Sequence, residues 1–142
     1  KAYDNVNLTT DIIVGFPGET EEEFAKTYKF LEKIKFYKMH IFKYSPRKGT
    51  RAEQMPQQIE PQLKEERSKK LIELSDKNEK EYNSEYVGKR VEVLWEEQKN
   101  EIYKGHTKNY VLVEMKAKPS ENKENVIESV QISQAYEHYV KV

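Results

Sequence analysis

The sequence predicts an α/β plus all-β chain: a βαβ unit with a long trailing helix, then a small antiparallel β-barrel. Three observations carry this. Two short apolar runs, in "TDIIVGF" and "KMHIFKY", flank a segment with helical spacing. A long charged stretch, "QLKEERSKKLIELSDKNEKEYNSEY", then carries sparse leucines at helical spacing. From about Asn83 the period falls to two, in runs parted by polar turns.

The first run, Ile12 to Val14, is short, continuous and bounded by turn residues, which suits a strand buried on both faces of a parallel sheet. Gly15, Pro17 and Gly18 end it. Thr20 followed by Glu23 forms a capping box, and Glu21, Glu22 and Glu23 complement the helix dipole. Phe24, Tyr28, Leu31 and Ile34 recur at helical spacing and predict a helix from about Glu21 to Lys35. In the next strand Met39 and Ile41 share one side, and His40, Phe42 and Tyr44 the other. Strand, capped helix and strand imply a right-handed parallel crossover.

"SPRKGTRAEQMPQQIEP" reads as a polar loop at the carboxyl end of that strand, where loops commonly carry function. Pro61 suits the first turn of a helix. Leu63, Leu71, Leu74 and Tyr82 lie near one face of it, and its Glu/Lys pattern predicts a mostly exposed helix. "KRVEVLWEE", "EIYKGHT", "NYVLVEMKA", "NVIESVQIS" and "AYEHYVKV" are the predicted strands of the barrel.

Composition narrows the function. The 142 residues allow one ordinary domain or two small ones. Ten Tyr, five Phe and one Trp argue against disorder despite a charged share of 35%. Lys+Arg and Asp+Glu both number 25, so any basic face must be local. No run approaches the ~18 apolar residues of a membrane span, and a cytoplasmic location without membrane partners is expected. There is no cysteine, which excludes disulfides, a thiol nucleophile and any thiolate-held zinc or iron–sulfur cluster within this chain. The first strand has no preceding neighbour, so the chain reads as a fragment of something longer. Its open sheet edge predicts self-association or swapping.

Several residues are candidates for chemistry. In "GFPGET", Gly15 and Gly18 would admit a ligand closely, yet the same residues make a tight turn with no ligand. Neither a Walker loop nor a dinucleotide fingerprint is present. Asp11, beside an apolar run, needs a partner, either a ligand hydroxyl or backbone amides. Tyr44, Arg47, Lys48 and Arg51 share one loop and suit a carboxylate or phosphate, or a solvated loop tip. His40, His106 and His138 have no metal-ligand spacing, so no metal site is expected. Tyr103, Lys104, His106, Lys108 and Tyr110 interleave basic residues with aromatics, which suits RNA, although acids are as numerous there. Trp95, alternating with Val91 and Val93, reads as core.

Together, "TDIIVGFPGETEEEF", "HIFKYSPRKGTRAEQM" and "KEERSKKLIELS" resemble the radical-SAM tRNA methylthiotransferases, the MiaB/MtaB-like family, over essentially the whole chain. The branch acting on threonylcarbamoyladenosine beside the anticodon is the most similar. The branch acting on isopentenyladenosine comes next, and the branch modifying a ribosomal protein is less similar. The resemblance implies that residues 1–82 are the C-terminal part of a radical-SAM partial TIM barrel with its trailing helix, and 83–142 a TRAM β-barrel that binds tRNA. It implies S-adenosylmethionine and two 4Fe-4S clusters as cofactors of the longer enzyme. The cluster cysteines and further domains would lie N-terminal to this chain, which alone is expected to be inert, with no catalytic residue of its own; the alternative is a non-catalytic RNA-binding module whose α/β part is only scaffold. By the same resemblance Asp11, Val14, Gly15, Phe16, Tyr44 and Arg47 line the S-adenosylmethionine pocket, and Lys104, His106, Lys108 and Tyr110 contact tRNA. The superfamily pattern GxIxGxxE fits imperfectly, with Asp11 at its first glycine and Gly18 at its acid.

Overall fold

The computed structural model of the chain describes residues 6–118 and 121–142. Its elements follow the order that periodicity predicts, except that a 3-10 turn at Ala52–Gln54 interrupts the polar loop and two short strands stand where the last single one is expected. They form two compact units: Leu8–Asn78, and Glu79–Val142 with the described residues up to Asn7. Among the described residues no helix is long and apolar enough to cross a membrane.

In the α/β unit, β1 (Thr9–Val14) and β2 (Lys38–Lys43) pair in parallel, with Asp11 opposite His40 and Ile13 opposite Phe42. α1 (Glu21–Ile34) connects them. The capping box is present: the Glu23 amide donates to Thr20 Oγ1 at 3.2 Å, and the Thr20 amide donates to the Glu23 carboxylate at 2.8 Å. Donation from the Thr20 backbone, then from its hydroxyl, holds the Glu23 carboxyl below its usual range. Lys35, left-handed at φ 55°, ends the helix by donating its amide to the Leu31 carbonyl.

The expectation that the first strand is buried on both faces is not met. Val14 and Met39 pack with Phe24 and Leu31 of α1 and with Leu71 and Leu74 of α2 (Pro61–Ser84). On the opposite face Ile13 is 59% exposed and Phe42 54%. Helices cover one side of this two-stranded sheet, so alternate residues emerge on an open face.

The long helix also differs from the mostly exposed one expected. Lys64, Arg67, Ser68, Leu71, Leu74 and Ser75 recur at three- and four-residue spacing and are buried. Two polar residues of this face are satisfied by other elements: Ser75 Oγ accepts the Met39 amide at 3.1 Å, and Asn78 Nδ2 donates to the Phe36 carbonyl at 3.3 Å. A search for an apolar stripe misses such a face, because Arg, Ser and Asn count as outward residues.

The β unit starts with the last residues of α2. Asn83 is buried there and donates to the carbonyls of Tyr136 (3.2 Å) and Glu137 (3.1 Å). β3 (Arg90–Lys99), β4 (Ile102–Thr107) and β5 (Leu112–Lys116) form an antiparallel meander. β6 (Ile127–Gln131) pairs with the other side of β3. After β7 (Gln134–Ala135), β8 (Val140–Lys141) runs parallel to β5 through Val113 and Val140. The result is a curled six-stranded sheet, and the antiparallel expectation fails at that one pair because the chain returns through β6 and β7 before meeting β5.

Val93, Trp95, Tyr103, Val111, Val113 and Val140 are fully buried in its core. Trp95 is therefore core, as its alternation predicts, and its indole N–H donates to Glu128 at 3.0 Å. Curvature comes from a register shift between Trp95 and Glu97 opposite Gly105. A Cβ on Gly105 would lie 2.2 Å from the Leu94 carbonyl oxygen, so only glycine permits this approach of β4 to β3.

Candidate functional site

The loop after β1 is held from within. The Gly15 amide donates to Glu19 Oε2 at 2.8 Å, and Glu19 Oε1 accepts from Arg67 Nη1 at 2.7 Å. Arg67, only 2% exposed, also reaches the Glu19 carbonyl at 3.0 Å and Glu21 at 3.2 Å, and its guanidinium lies 5.2 Å from the Phe24 ring centroid. Glu19 thus takes the amide that a bound phosphate would otherwise attract. Gly15, at φ +70°, gives its missing Cβ space to Lys64, whose Cγ would lie 2.4 Å from such an atom.

Of the six residues expected at this site, Val14 is buried in the helix-facing core, its carbonyl accepting the Tyr44 amide at 2.8 Å. Its side chain is therefore turned away from the open face. Phe16 and Tyr44 meet edge-on, with ring centroids 5.2 Å apart. Lys64 Nζ sits 5.1 Å from the Tyr44 centroid and donates to the Tyr44 carbonyl at 3.1 Å. The Tyr44 hydroxyl is buried without a hydrogen-bond partner. Arg47 is exposed three residues further on, and Asp11 is exposed opposite His40 on the open face of the sheet.

In the β unit, strand alternation puts Lys104 and His106 on the outer face of β4, between Glu97 and Leu94 of β3 and Glu114 and Leu112 of β5. Each of the predicted RNA-contacting residues Lys104, His106 and Lys108 meets a carboxylate. Lys104 Nζ lies 3.2 Å from Glu114, His106 Nδ1 2.5 Å from Glu96, and Lys108 Nζ 2.5 Å from Glu92. His106, Lys108 and Tyr110 share a half-open cavity of about 270 Å³ with Leu94, Ile127 and Glu96. Tyr110 is 80% exposed, with its ring centroid 6.3 Å from that of His106. Among the described residues no group of three His, Asp or Glu could hold a metal ion. His138 instead lies 3.0 Å from the buried Glu79 carboxylate.

No family model matches the chain. Curated relatives do. It is 44% identical over 121 residues to threonylcarbamoyladenosine tRNA methylthiotransferase MtaB of Bacillus subtilis, covering 82% of this chain and 27% of that protein. It is 43% identical over 119 residues to tRNA-2-methylthio-N(6)-dimethylallyladenosine synthase of Acetivibrio thermocellus, covering 82% and 25%. It is 40% identical over 110 residues to ribosomal protein uS12 methylthiotransferase RimO of Clostridium botulinum, covering 78% and 24%. The chain belongs to the MiaB/MtaB-like methylthiotransferase family.

The chain spans about a quarter of the length of those relatives. Having no cysteine, it offers no thiolate to an iron–sulfur cluster. Sequence reasoning passed over Glu19, Lys64 and Arg67 in the loop, and over Glu92, Leu94, Glu96 and Ile127 in the β unit. Glu19 had a signal, an acid one position past the expected one. Arg67 had none, since it reaches Glu19 across 48 residues of sequence.

Proposed function

We propose that this chain is part of a radical-SAM tRNA methylthiotransferase acting in the cytoplasm on N6-threonylcarbamoyladenosine beside the anticodon. The observation that carries the reading is the 44% identity to the Bacillus subtilis enzyme of that name, over 82% of the chain. In this reading residues 1–82 belong to the radical-SAM barrel and 83–142 are a TRAM-like RNA-binding module.

The α/β unit supplies one wall of the S-adenosylmethionine pocket. Phe16, Tyr44 and Arg47 fit that role: two aromatic rings in contact, an unpartnered buried hydroxyl, and an exposed guanidinium at the mouth of the strands. Asp11 fits a hydroxyl on the open face. Val14 and Gly15 support the wall from behind and do not touch the ligand by side chain. The bound cofactor would supply the radical; the chain's residues orient it, and the clusters are held by cysteines outside this chain. The β unit binds tRNA through the face bearing Lys104, His106, Lys108 and Tyr110.

A second substrate has its own support, since a dimethylallyladenosine-modifying relative from Thermoanaerobacter is 49% identical over 92 residues. Mass spectrometry of tRNA nucleosides from cells lacking the full-length protein decides between them. Loss of the 2-methylthio group from threonylcarbamoyladenosine alone is expected. Loss from isopentenyladenosine alone sinks the first assignment, and unchanged tRNA sinks both. The isolated chain is expected to transfer no methylthio group to tRNA in vitro.

A further inference from the structure

The pairing of Lys104 with Glu114 and of Lys108 with Glu92 weakens the phosphate grip of the β unit's outer face. We propose that its cavity instead receives a single unstacked nucleobase of single-stranded RNA, held against Tyr110, His106, Leu94 and Ile127, with Glu96 accepting the base's exocyclic amino group. This rests on the reading of the β unit as an RNA-binding module and goes beyond it by naming the bound moiety and the contacting atoms.

Four features support a base over a phosphate. The cavity, about 270 Å³, is just under the ~300 Å³ at which sites for drug-sized ligands begin, which suits one ring system. Its floor is apolar: Ile127 pairs with Leu94 on one side, and Leu94 with His106 on the other. Its rim carries Glu92, already paired with Lys108 at 2.5 Å, and Glu96, whose carboxylate matches an amino donor. Glu96 is half-exposed, so oxygen lone pairs stay open to a ligand beside its 2.5 Å contact with His106.

The fourth feature is Tyr110 itself. A ring 80% exposed on a left-handed backbone, φ +64°, is an arrangement that a tyrosine rarely adopts without cause. The turn that holds it is pinned at both ends. Its amide donates to the Thr107 carbonyl at 2.9 Å, and the Val111 amide donates to Thr107 Oγ1 at 3.0 Å. The backbone that presents the ring is therefore set in place before any base arrives, which lowers the ordering cost of stacking.

The test uses the whole chain and labelled short oligoadenylate and oligouridylate, read by fluorescence anisotropy at about 50 and about 200 mM salt. Uracil lacks the amino group, so oligoadenylate is expected to bind about tenfold more tightly. Its affinity is expected to fall less than about tenfold between the two salts, where a phosphate-gripping protein loses far more. Tyr110→Asn tolerates the left-handed backbone and is expected to weaken oligoadenylate about tenfold. Glu96→Ala should erase the adenylate preference, and Glu96→Gln, which keeps an acceptor, should retain it; melting curves confirm that each variant is folded. Equal binding of both oligomers with a steep salt dependence overturns the nucleobase proposal and leaves the RNA reading standing. Displacement of oligoadenylate by an apolar peptide assigns the cavity to a protein and also overturns it. Absence of binding to either oligomer and to tRNA overturns both readings.

Discussion

The two units solve the problem of a small core differently. In the β unit six large or branched side chains, Trp95 and Tyr103 among them, are wholly buried. The α/β unit buries one face of a two-stranded sheet under helices and leaves Ile13 and Phe42 on the other. Its helix α2 then contributes as much polar as apolar material to the interior, with Arg67 tied to Glu19 and Glu21. One unit is held by apolar packing, the other by a thin apolar layer and a buried ionic link. A buried ion pair adds less net stability than good packing, yet removing one partner is costly. The contrast thus predicts where each unit is fragile.

The largest effects come from the centre of each unit. Trp95→Ala removes a fully buried ring and leaves Glu128 without the indole donor, and is expected to cost about 3–5 kcal/mol. Hydrogen exchange at the amides of β3 to β5 checks it. Arg67→Ala should also cost about 3–5 kcal/mol, because Glu19 is left nearly buried without its cation. Exchange at α1 and β1 amides reads this one. If Arg67→Ala proves as mild as a surface change, the ionic account of the α/β unit is wrong.

Gly105→Ala is next, at about 1–3 kcal/mol, since the new methyl would meet the Leu94 carbonyl at 2.2 Å and β3 and β4 must separate. Urea unfolding of the variant measures that cost.

A smaller, pH-dependent effect lies at Glu128. Lys123 donates to its carboxylate at 2.8 Å and, with Trp95, holds its carboxyl below the usual range against the opposing effect of burial. A depressed carboxyl contributes stability above the unfolded value, about 4.3, and loses it as pH falls through the lower folded value. Glu128→Gln should therefore flatten the acid side of a Tm–pH profile below about pH 5. The matching rise in Lys123, caused first by its hydrogen bond to Glu128, acts at the alkaline end, where stability is lost as pH rises through the folded value. The smallest effects belong to the open face: Ile13→Ser and Phe42→Ser should each change the stability of this chain by no more than about 0.5 kcal/mol. A cost as large as that of Trp95→Ala would show that this face is covered in solution, and would erase the contrast between the units.

Much of the fold was legible because its signals are local. The capping box at Thr20 and Glu23, the proline at the start of α2, and the alternation through Val91, Val93 and Trp95 each need only a few neighbouring residues. The parallel β5–β8 pair was not legible, because Val113 and Val140 meet only after the chain has passed through two further strands. The buried side of α2 was hidden for a different reason. Its polar residues are satisfied by partners on other elements, such as the Met39 amide and the Phe36 carbonyl, which no window on the helix contains.

The candidate sites divide in the same way. Residue types and family motifs picked out Asp11, Val14, Gly15, Phe16, Tyr44, Arg47, Lys104, His106, Lys108 and Tyr110 from the sequence alone, because a motif is a statement about neighbours in the chain. Which of these remain available to a ligand was decided by tertiary structure. Val14 turned to the core, Gly15 made room for Lys64, and Glu19 took the loop amide under the hold of Arg67. Lys104, His106 and Lys108 each acquired a carboxylate from a neighbouring part of the β unit. The charges of the two lysine–carboxylate pairs neutralise one another at long range, and strand pairing sets Lys104 opposite Glu114.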